Sequence, residues 1–356
     1  MPPHGTDKPA QVAPPAVGAL DNHNRHTHPD KEDTMKHTIL GKSGLDVSRI
    51  AFGTWQLGGE WGPTDTVAAR KAIRRAVEDG VTFFDTAQAY GFGQSEQLLA
   101  DALHGMIREE LVIATKGGLR PTGDGLVRDA SADWIRLGAE ASLRALDTDY
   151  IDLYQVHWPD PVTPFEETAE ALAELIAAGK IRHVGVSNFD VEQMEAFGAT
   201  LPVETLQPPY HLFRRDIEID VLPYTTANDV GVLVYGPLAH GLLGGRLGPD
   251  TRFDPGDWRS SSSVFRGDTY ERNLRAIARL WQLATQELGV TLPQLAIGWT
   301  LANPAVHVAI VGTRDPDHID EALAAADLDL DDEVMRRIDQ IMEDATPVAG
   351  PSPESV

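Results

Sequence analysis

From residue 36 onward, short runs rich in β-branched and aromatic residues alternate with segments of helical periodicity. HTIL and DVSRI flank a Gly-Lys-Ser-Gly turn and predict a hairpin. Eight further runs read as strands: IAFGT (50–54), TFFDT (82–86), LVIATK (111–116), IDLYQVH (151–157), IRHVGVS (181–187), TLQPPY (205–210), GVLVYGP (231–237) and VHVAIVG (306–312). Helical segments lie between them. Residues 65–79 place Val67, Ile73 and Val77 near one face, with Gly80 as the stop. The next are 94–103, with Ser95 as a capping candidate, 131–145, opened by Ser131, and 165–178, closed by Gly179. Segments 190–197, 217–228, 291–302 and 316–326 complete the alternation, while 268–288 and 331–343 stand outside it.

Eight βα units without a break predict an α/β fold, a (β/α)8 TIM barrel with an N-terminal β-hairpin and two extra helices. The alternative is an open doubly wound sheet. Two features favour the barrel: the count reaches eight, and no Gly-x-Gly-x-x-Gly follows the first strand. Gly91-Phe92-Gly93 is a partial match, but Glu96 occupies the third glycine position, so a turn before a helix is the better reading. The Gly/Ser/Pro-rich stretch 244–267 is long for a barrel connection and predicts a lid or a disordered span.

Composition sets the boundaries. Residues 1–34 are rich in Pro, His, Asp and Asn and read as a disordered tail. His23, His26 and His28 belong to it, and a solvated tail is a better reading of them than a metal site. Met35 is a candidate for the true start. The barrel is expected over 35–345, followed by a flexible C-terminal tail, 346–356. The net charge of −24 and the pI near 4.7 argue against nucleic acid and anionic membranes as partners, though not against a small anionic ligand. There are no cysteines, which removes disulfides and thiolate chemistry. No run approaches the roughly 18 apolar residues of a membrane span. A cytoplasmic protein without a metal is expected.

In such a barrel, chemistry sits at the C-terminal ends of the strands. Applied here, that filter picks out Asp85 at the end of the second barrel strand, Tyr90 in the loop after it, Lys116 ending the third and His157 ending the fourth. Each alone has a plain reading: a turn cap, a packing aromatic, a solvated charge, a satisfied core histidine. Three adjacent strands delivering all four to one rim favours a site. Hydride arrival at a carbonyl creates an alkoxide that must be protonated. A phenol serves if a neighbouring ammonium stabilises its phenolate. Lys116 is placed for that, Asp85 to hold Lys116, and His157 to orient the carbonyl oxygen. Ser187, Asn188 and Gln207 end the fifth and sixth strands, where they can read an amide, and Arg314 follows the eighth, where a phosphate is welcome.

FFDTAQAYGFGQSEQLLADAL (83–103), VIATKGG (112–118), DLYQVHWPD (152–160) and IRHVGVSNF (181–189) resemble, in order, the signatures of the aldo-keto reductase superfamily. LQPPYHLFRR (206–215), VLVYGPLAHGLLGGR (232–246) and VAIVGTRDPDHI (308–319) continue the likeness, which is nearest to bacterial members related to potassium-channel β subunits. The resemblance implies an NADPH-dependent oxidoreductase that reduces aldehydes and ketones, with Asp85, Tyr90, Lys116 and His157 as catalytic tetrad and Tyr90 as proton donor. It implies that Ser187, Asn188 and Gln207 contact the nicotinamide carboxamide and that Tyr235 stacks on the ring. Gly53, Thr54, Trp55 and Asp85 match contacts at the cofactor and substrate mouth. Gly236, Pro237, Leu238, Gly241 and Arg246 match the loop over the pyrophosphate. Gly312, Thr313, Arg314 and His318 match the region of the adenosine 2′-phosphate and ribose. Many members carry a basic residue in place of His318 and an Asn in place of Ala322; Arg314 offsets the first, so NADPH is preferred over NADH.

The substrate pocket is expected to hold Trp55, Tyr90, His157 and Trp158, with Trp61 and the loop 57–64 near its mouth. The partner is a small-molecule carbonyl; oligomeric state is not legible. Two other readings remain: an NADPH-binding redox sensor or accessory subunit with slow turnover, and an aldolase using Lys116 as a Schiff base.

Overall fold

The computed structural model describes residues 35–59, 64–123, 125–254, 257–314 and 317–348. The predicted N-terminal tail, Trp61 and residues 349–356 lie outside the described residues. The chain opens with a hairpin of β1 (His37–Ile39) and β2 (Asp46–Ser48). Eight parallel strands then close into a barrel: β3 (Ile50–Gly53), β4 (Phe83–Asp85), β5 (Val112–Gly117), β8 (Ile151–Val156), β9 (Ile181–Ser187), β10 (Thr205–Gln207), β11 (Gly231–Tyr235) and β12 (Val308–Gly312). Closure excludes the open doubly wound sheet. Seven of the predicted runs contain their strand whole and β5 runs one residue past its own, to Gly117; the β10 run is shortened to three residues because Pro208 and Pro209 cannot donate to the ladder.

Helices α1 (Thr66–Glu78), α2 (Gln94–Leu103), α3 (Ala132–Ala145), α4 (Phe165–Ala177), α5 (Val191–Gly198), α6 (Val221–Ala227), α8 (Leu292–Ala302) and α9 (Asp317–Ala324) alternate with the barrel strands. The two extra helices are α7 (Gly267–Gln282), continued by a π-helical turn over 283–288, and α10 (Asp332–Met342). The predicted helix 217–228 divides into a 3-10 turn, Asp216–Glu218, and α6, whose first N–H is taken by Asp220. In α1, Ile73 is buried, but Val67 is largely exposed, one step off the buried stripe of Ala69, Ala72, Ile73 and Ala76. Ser95 does not cap α2: its hydroxyl turns inward to Thr54. Ser131 stands at the N-cap of α3, yet its hydroxyl goes to Asp129. A second hairpin, β6 (Leu119–Thr122) with β7 (Gly125–Arg128), follows β5 and was not foreseen.

Strand alternation sorts side chains into two layers. Phe52, Phe84, Tyr154, Val156 and Val234 face outward to the helices. Ala51, Phe83, Ala114, Leu153, Leu233, Val308 and Ile310 fill the interior, joined by Leu40 and Val47 of the hairpin, which plugs the lower end. The upper interior positions on the same faces are polar: Asp85, Lys116, Gln155, Ser187 and Gln207, all buried. Closure brings β12 beside β3, pairing Ile310 with Ala51 and Gly312 with Gly53. Arg49 reinforces the seam by donating to the carbonyls of Leu301, Val306 and His307 at 3.0, 3.1 and 3.3 Å. Beyond the expected barrel end, Thr346 N–H donates to Asn273 and Val348 N–H to the carbonyl of Phe213.

Candidate active site

Asp85, Lys116 and His157 sit at or just beyond the C-terminal ends of β4, β5 and β8, which are neighbours in the barrel. The Nζ of Lys116 donates to Oδ1 of Asp85 at 2.6 Å, to the carbonyl of Thr86 at 2.9 Å and to the hydroxyl of Tyr90 at 3.3 Å. All three donors of the ammonium are thereby used, which a lysine only 1% exposed requires. The rings of Tyr90 and His157 meet edge to face, 5.8 Å between centroids. Thus Tyr90 stands between a cation and an imidazole at the floor of a cleft.

The loop carrying Tyr90 is fixed by small polar side chains. Thr54 donates to the carbonyl of Asp85 at 3.2 Å, Ser95 to Oγ1 of Thr54 at 2.8 Å, and Thr86 to Ser95 at 3.3 Å. Behind β5, the buried Glu96 accepts a 2.7 Å hydrogen bond from Thr115, and burial pushes its carboxyl above the usual range.

Around the other half of the rim, Ser187 donates to the carbonyl of Gln207 at 2.8 Å. Asn188 takes a left-handed backbone (φ 63°), which turns its amide back to the carbonyl of His157 (3.1 Å) and to Ser187 (3.1 Å). The hydroxyl of Tyr235 donates to Oδ1 of Asn188 at 2.9 Å. These contacts bind β8, β9, β10 and β11 into one polar arc.

The cleft at this end of the barrel is lined by Gly53, Thr54, Trp55, Asp85, Tyr90, His157, Ser187, Gln207, Tyr235, Gly236, Pro237, Leu238, Gly241 and Gly312, all named from the sequence. Lys116 lies just beneath it. Gln56, His240, Arg259, Ile310 and Val311 also line it and were not singled out. From Gly236 to Gly241 the chain enters the left-handed region at Gly236, Ala239, His240 and Gly241. The N–H groups of Ala239 and Gly241 close the turn on the carbonyls of Gly236 and Leu238 at 2.8 and 3.0 Å. Residues 257–259 pack on this turn: Trp258 lies edge-on to His240 (5.1 Å), and Arg259, paired with Asp257, donates to the carbonyl of His240 at 3.2 Å. Burial pushes His240 down to about 4 and holds His211 well below the usual imidazole range, so both are neutral at pH 7.

Arg246 and His318, far apart in sequence, are in direct contact. Thr313 is buried and Arg314 exposed at the end of β12. Trp158 stands outside the cleft lining, beneath the guanidinium of Arg128 from β7 (4.9 Å). The unforeseen hairpin thus covers it. Among the described residues there is no cluster of metal-ligating side chains, and no helix is long and apolar enough to cross a membrane.

The model of the aldo/keto reductase family matches residues 49–343. An aldo-keto reductase of Bacillus subtilis is 42% identical over 312 residues, 87% of this chain and 94% of its own. A probable voltage-gated potassium channel β subunit of Arabidopsis thaliana is 34% identical, covering 87% and 97%. An NADH-specific methylglyoxal reductase of Escherichia coli is 33% identical, covering 87% and 100%. Among solved structures, the glycerol dehydrogenase of Gluconobacter oxydans aligns with a TM-score of 0.80 at 36% identity, over 90% and 98% of the two chains. An aldo-keto reductase of Klebsiella pneumoniae in complex with NADPH aligns at 0.68 with 30% identity, over 87% and 95%.

Proposed function

The chain belongs to the aldo/keto reductase family, and from that premise we propose that it reduces small aldehydes and ketones to alcohols with NADPH, Tyr90 giving the proton. The observation that carries this reading is the ammonium of Lys116 held by Asp85 at 2.6 Å and reaching the Tyr90 hydroxyl at 3.3 Å, at the floor of a cleft. A binding module needs no such arrangement.

The cleft suits a dinucleotide. Its lining combines glycines that let a ligand approach the backbone, the loop 236–241 to cover a pyrophosphate, and Ser187 and Gln207, braced by Asn188, for a carboxamide. Arg314, just beyond β12, and His318, which Arg246 contacts, are our candidates for the 2′-phosphate. When bound, the cofactor supplies the hydride. The protein does the rest. His157 donates to the carbonyl oxygen and orients it, and Tyr90 passes its proton to that oxygen as negative charge builds. Lys116 stabilises the phenolate left behind, and Asp85 keeps Lys116 in place. Trp55 forms an apolar wall for the substrate. The relatives that reduce methylglyoxal or oxidise glycerol direct the first assays to small, oxygen-rich carbonyls. A cytoplasmic setting, where NADPH is kept reduced, goes with this reading.

The test is loss of NADPH absorbance with a panel of such carbonyls, repeated with Tyr90→Phe. The variant keeps its affinity for NADPH and loses about 10²–10⁴-fold in turnover. Wild-type turnover in the variant would remove Tyr90 as proton donor.

A further inference from the structure

Lys116 occupies only one oxygen of Asp85. The other, Oδ2, is held by two glutamines. The Nε2 of Gln207 donates to it at 2.8 Å and that of Gln155 at 3.4 Å. The two amides are also joined to each other, Gln207 Nε2 donating to Gln155 Oε1 at 3.4 Å. Gln207 lines the cleft, whereas Gln155 is fully buried beneath it. It precedes His157 by two residues on β8 and so points to the same interior face. Leu153, the interior position before it, is apolar filler. An amide in that place costs about 1–3 kcal/mol unless hydrogen-bonded. Space is reserved for it across the ladder, where Gly185 pairs with Gln155: a Cβ on Gly185 would come to 3.1 Å from Gln155 Cγ and 2.1 Å from Thr205 Oγ1.

We propose that Gln155 is a positioning residue of the reductase: it fixes the Asp85 carboxylate and the Gln207 amide together, and so keeps the Lys116 ammonium directed at Tyr90. This rests on the function proposed above. A carboxylate with donors on both oxygens does not rotate, and donors on Oδ2 draw charge away from Oδ1. Without them Asp85 claims more of the ammonium, and less of its field reaches the phenol. Among the described residues, the charged or titratable groups near the Tyr90 hydroxyl include Lys116 from β5, Asp85 from β4 and His157 after β8; Glu96 of α2 lies behind β5 on Thr115.

The test uses Gln155→Leu, which keeps most of the volume without hydrogen bonds, and Gln155→Glu, which sets a second carboxyl beside Asp85. Protein labelled with ¹³C at the tyrosine ring is titrated by NMR, with the Tyr90 signal identified by its absence in Tyr90→Phe. In Gln155→Glu the pH at which Tyr90 titrates rises by about one unit or more, and in Gln155→Leu it rises less. In Gln155→Leu kcat falls about 10-fold while the KM for the carbonyl changes little and the melting temperature holds. A Tyr90 titration that stays put in Gln155→Leu overturns the proposal, whether kcat is retained or is lost with the melting temperature; Gln155 is then a filler. Should Gln155→Glu not fold, the leucine variant decides alone. A wild-type protein that oxidises NADPH with no carbonyl defeats the proposed function, while the Tyr90 titration still decides the role of Gln155.

Discussion

The Nζ of Lys116 stands 2.6 Å from Oδ1 of Asp85, and neither side chain is more than 4% exposed. Taking two charges out of water is costly, and each is tolerable only because of the other. Asp85→Ala therefore destabilises by about 3–5 kcal/mol, because it strands a buried ammonium. Adding Lys116→Met to it restores a good part of that loss. Chemical denaturation of the two single variants and the double variant measures the coupling; strictly additive losses would mean that the pair does not interact.

Arg314→Ala raises the KM for NADPH far more than that for NADH, since only the former carries a 2′-phosphate for a guanidinium to hold. Steady-state kinetics with both cofactors checks this. An equal rise for both would remove Arg314 from the phosphate site.

Burial raises the carboxyl of Glu96 above its unfolded value. A group with a raised folded-state pKa contributes fully below its unfolded pKa, and its contribution is lost as pH rises through the folded one. Glu96→Gln keeps the acceptor for Thr115 and carries no charge. The variant therefore melts higher than the wild type at pH 8, and the gap narrows toward pH 4.5. Melting curves across that range decide; a constant gap would refute the ionisation argument.

His240 is pushed down to about 4 by its burial, with Arg214 and Arg259 adding to the effect. The unfolded chain binds a proton near pH 6.5 that the folded chain refuses until about 4. Stability is thus full above pH 6.5 and declines as the pH falls through that window, by about 1–2 kcal/mol at pH 5 for this residue. His240→Gln melts with a shallower acid dependence between pH 7 and 5. Parallel curves for variant and wild type would assign the acid sensitivity elsewhere.

The eight strands were legible because parallel barrel strands are buried on both faces and read as continuous apolar runs. Asp85, Lys116 and His157 were legible because they interrupt those runs at one end. The hairpin 119–128 was not: Leu119, Pro121 and Thr122 give no clean alternation, and only the Thr-Gly-Asp-Gly turn marks it. That hairpin is also why Trp158 is covered by Arg128 instead of lining the cleft. Ser95 and Ser131 have the residue type of caps, but hydroxyls serve tertiary partners as readily, and local sequence does not choose between them. His240 and Arg259 enter the cleft through a turn and a long connection whose path no periodicity encodes. Gln155 carried a usable signal: it is polar, lies within an apolar strand and shares the parity of His157.

The seam between β3 and β12 is the last part of the barrel to come into being. Asp85, Tyr90, Lys116 and His157 are all synthesised while more than half the chain is still unmade. Until Val308–Gly312 arrives, β3 and β11 are bare edges open to wrong partners. The cleft has no wall there, and Arg49 has no carbonyls to hold. A premature stop anywhere between His157 and β12 spares Asp85, Tyr90, Lys116 and His157 and still leaves the barrel open and the cleft without one wall.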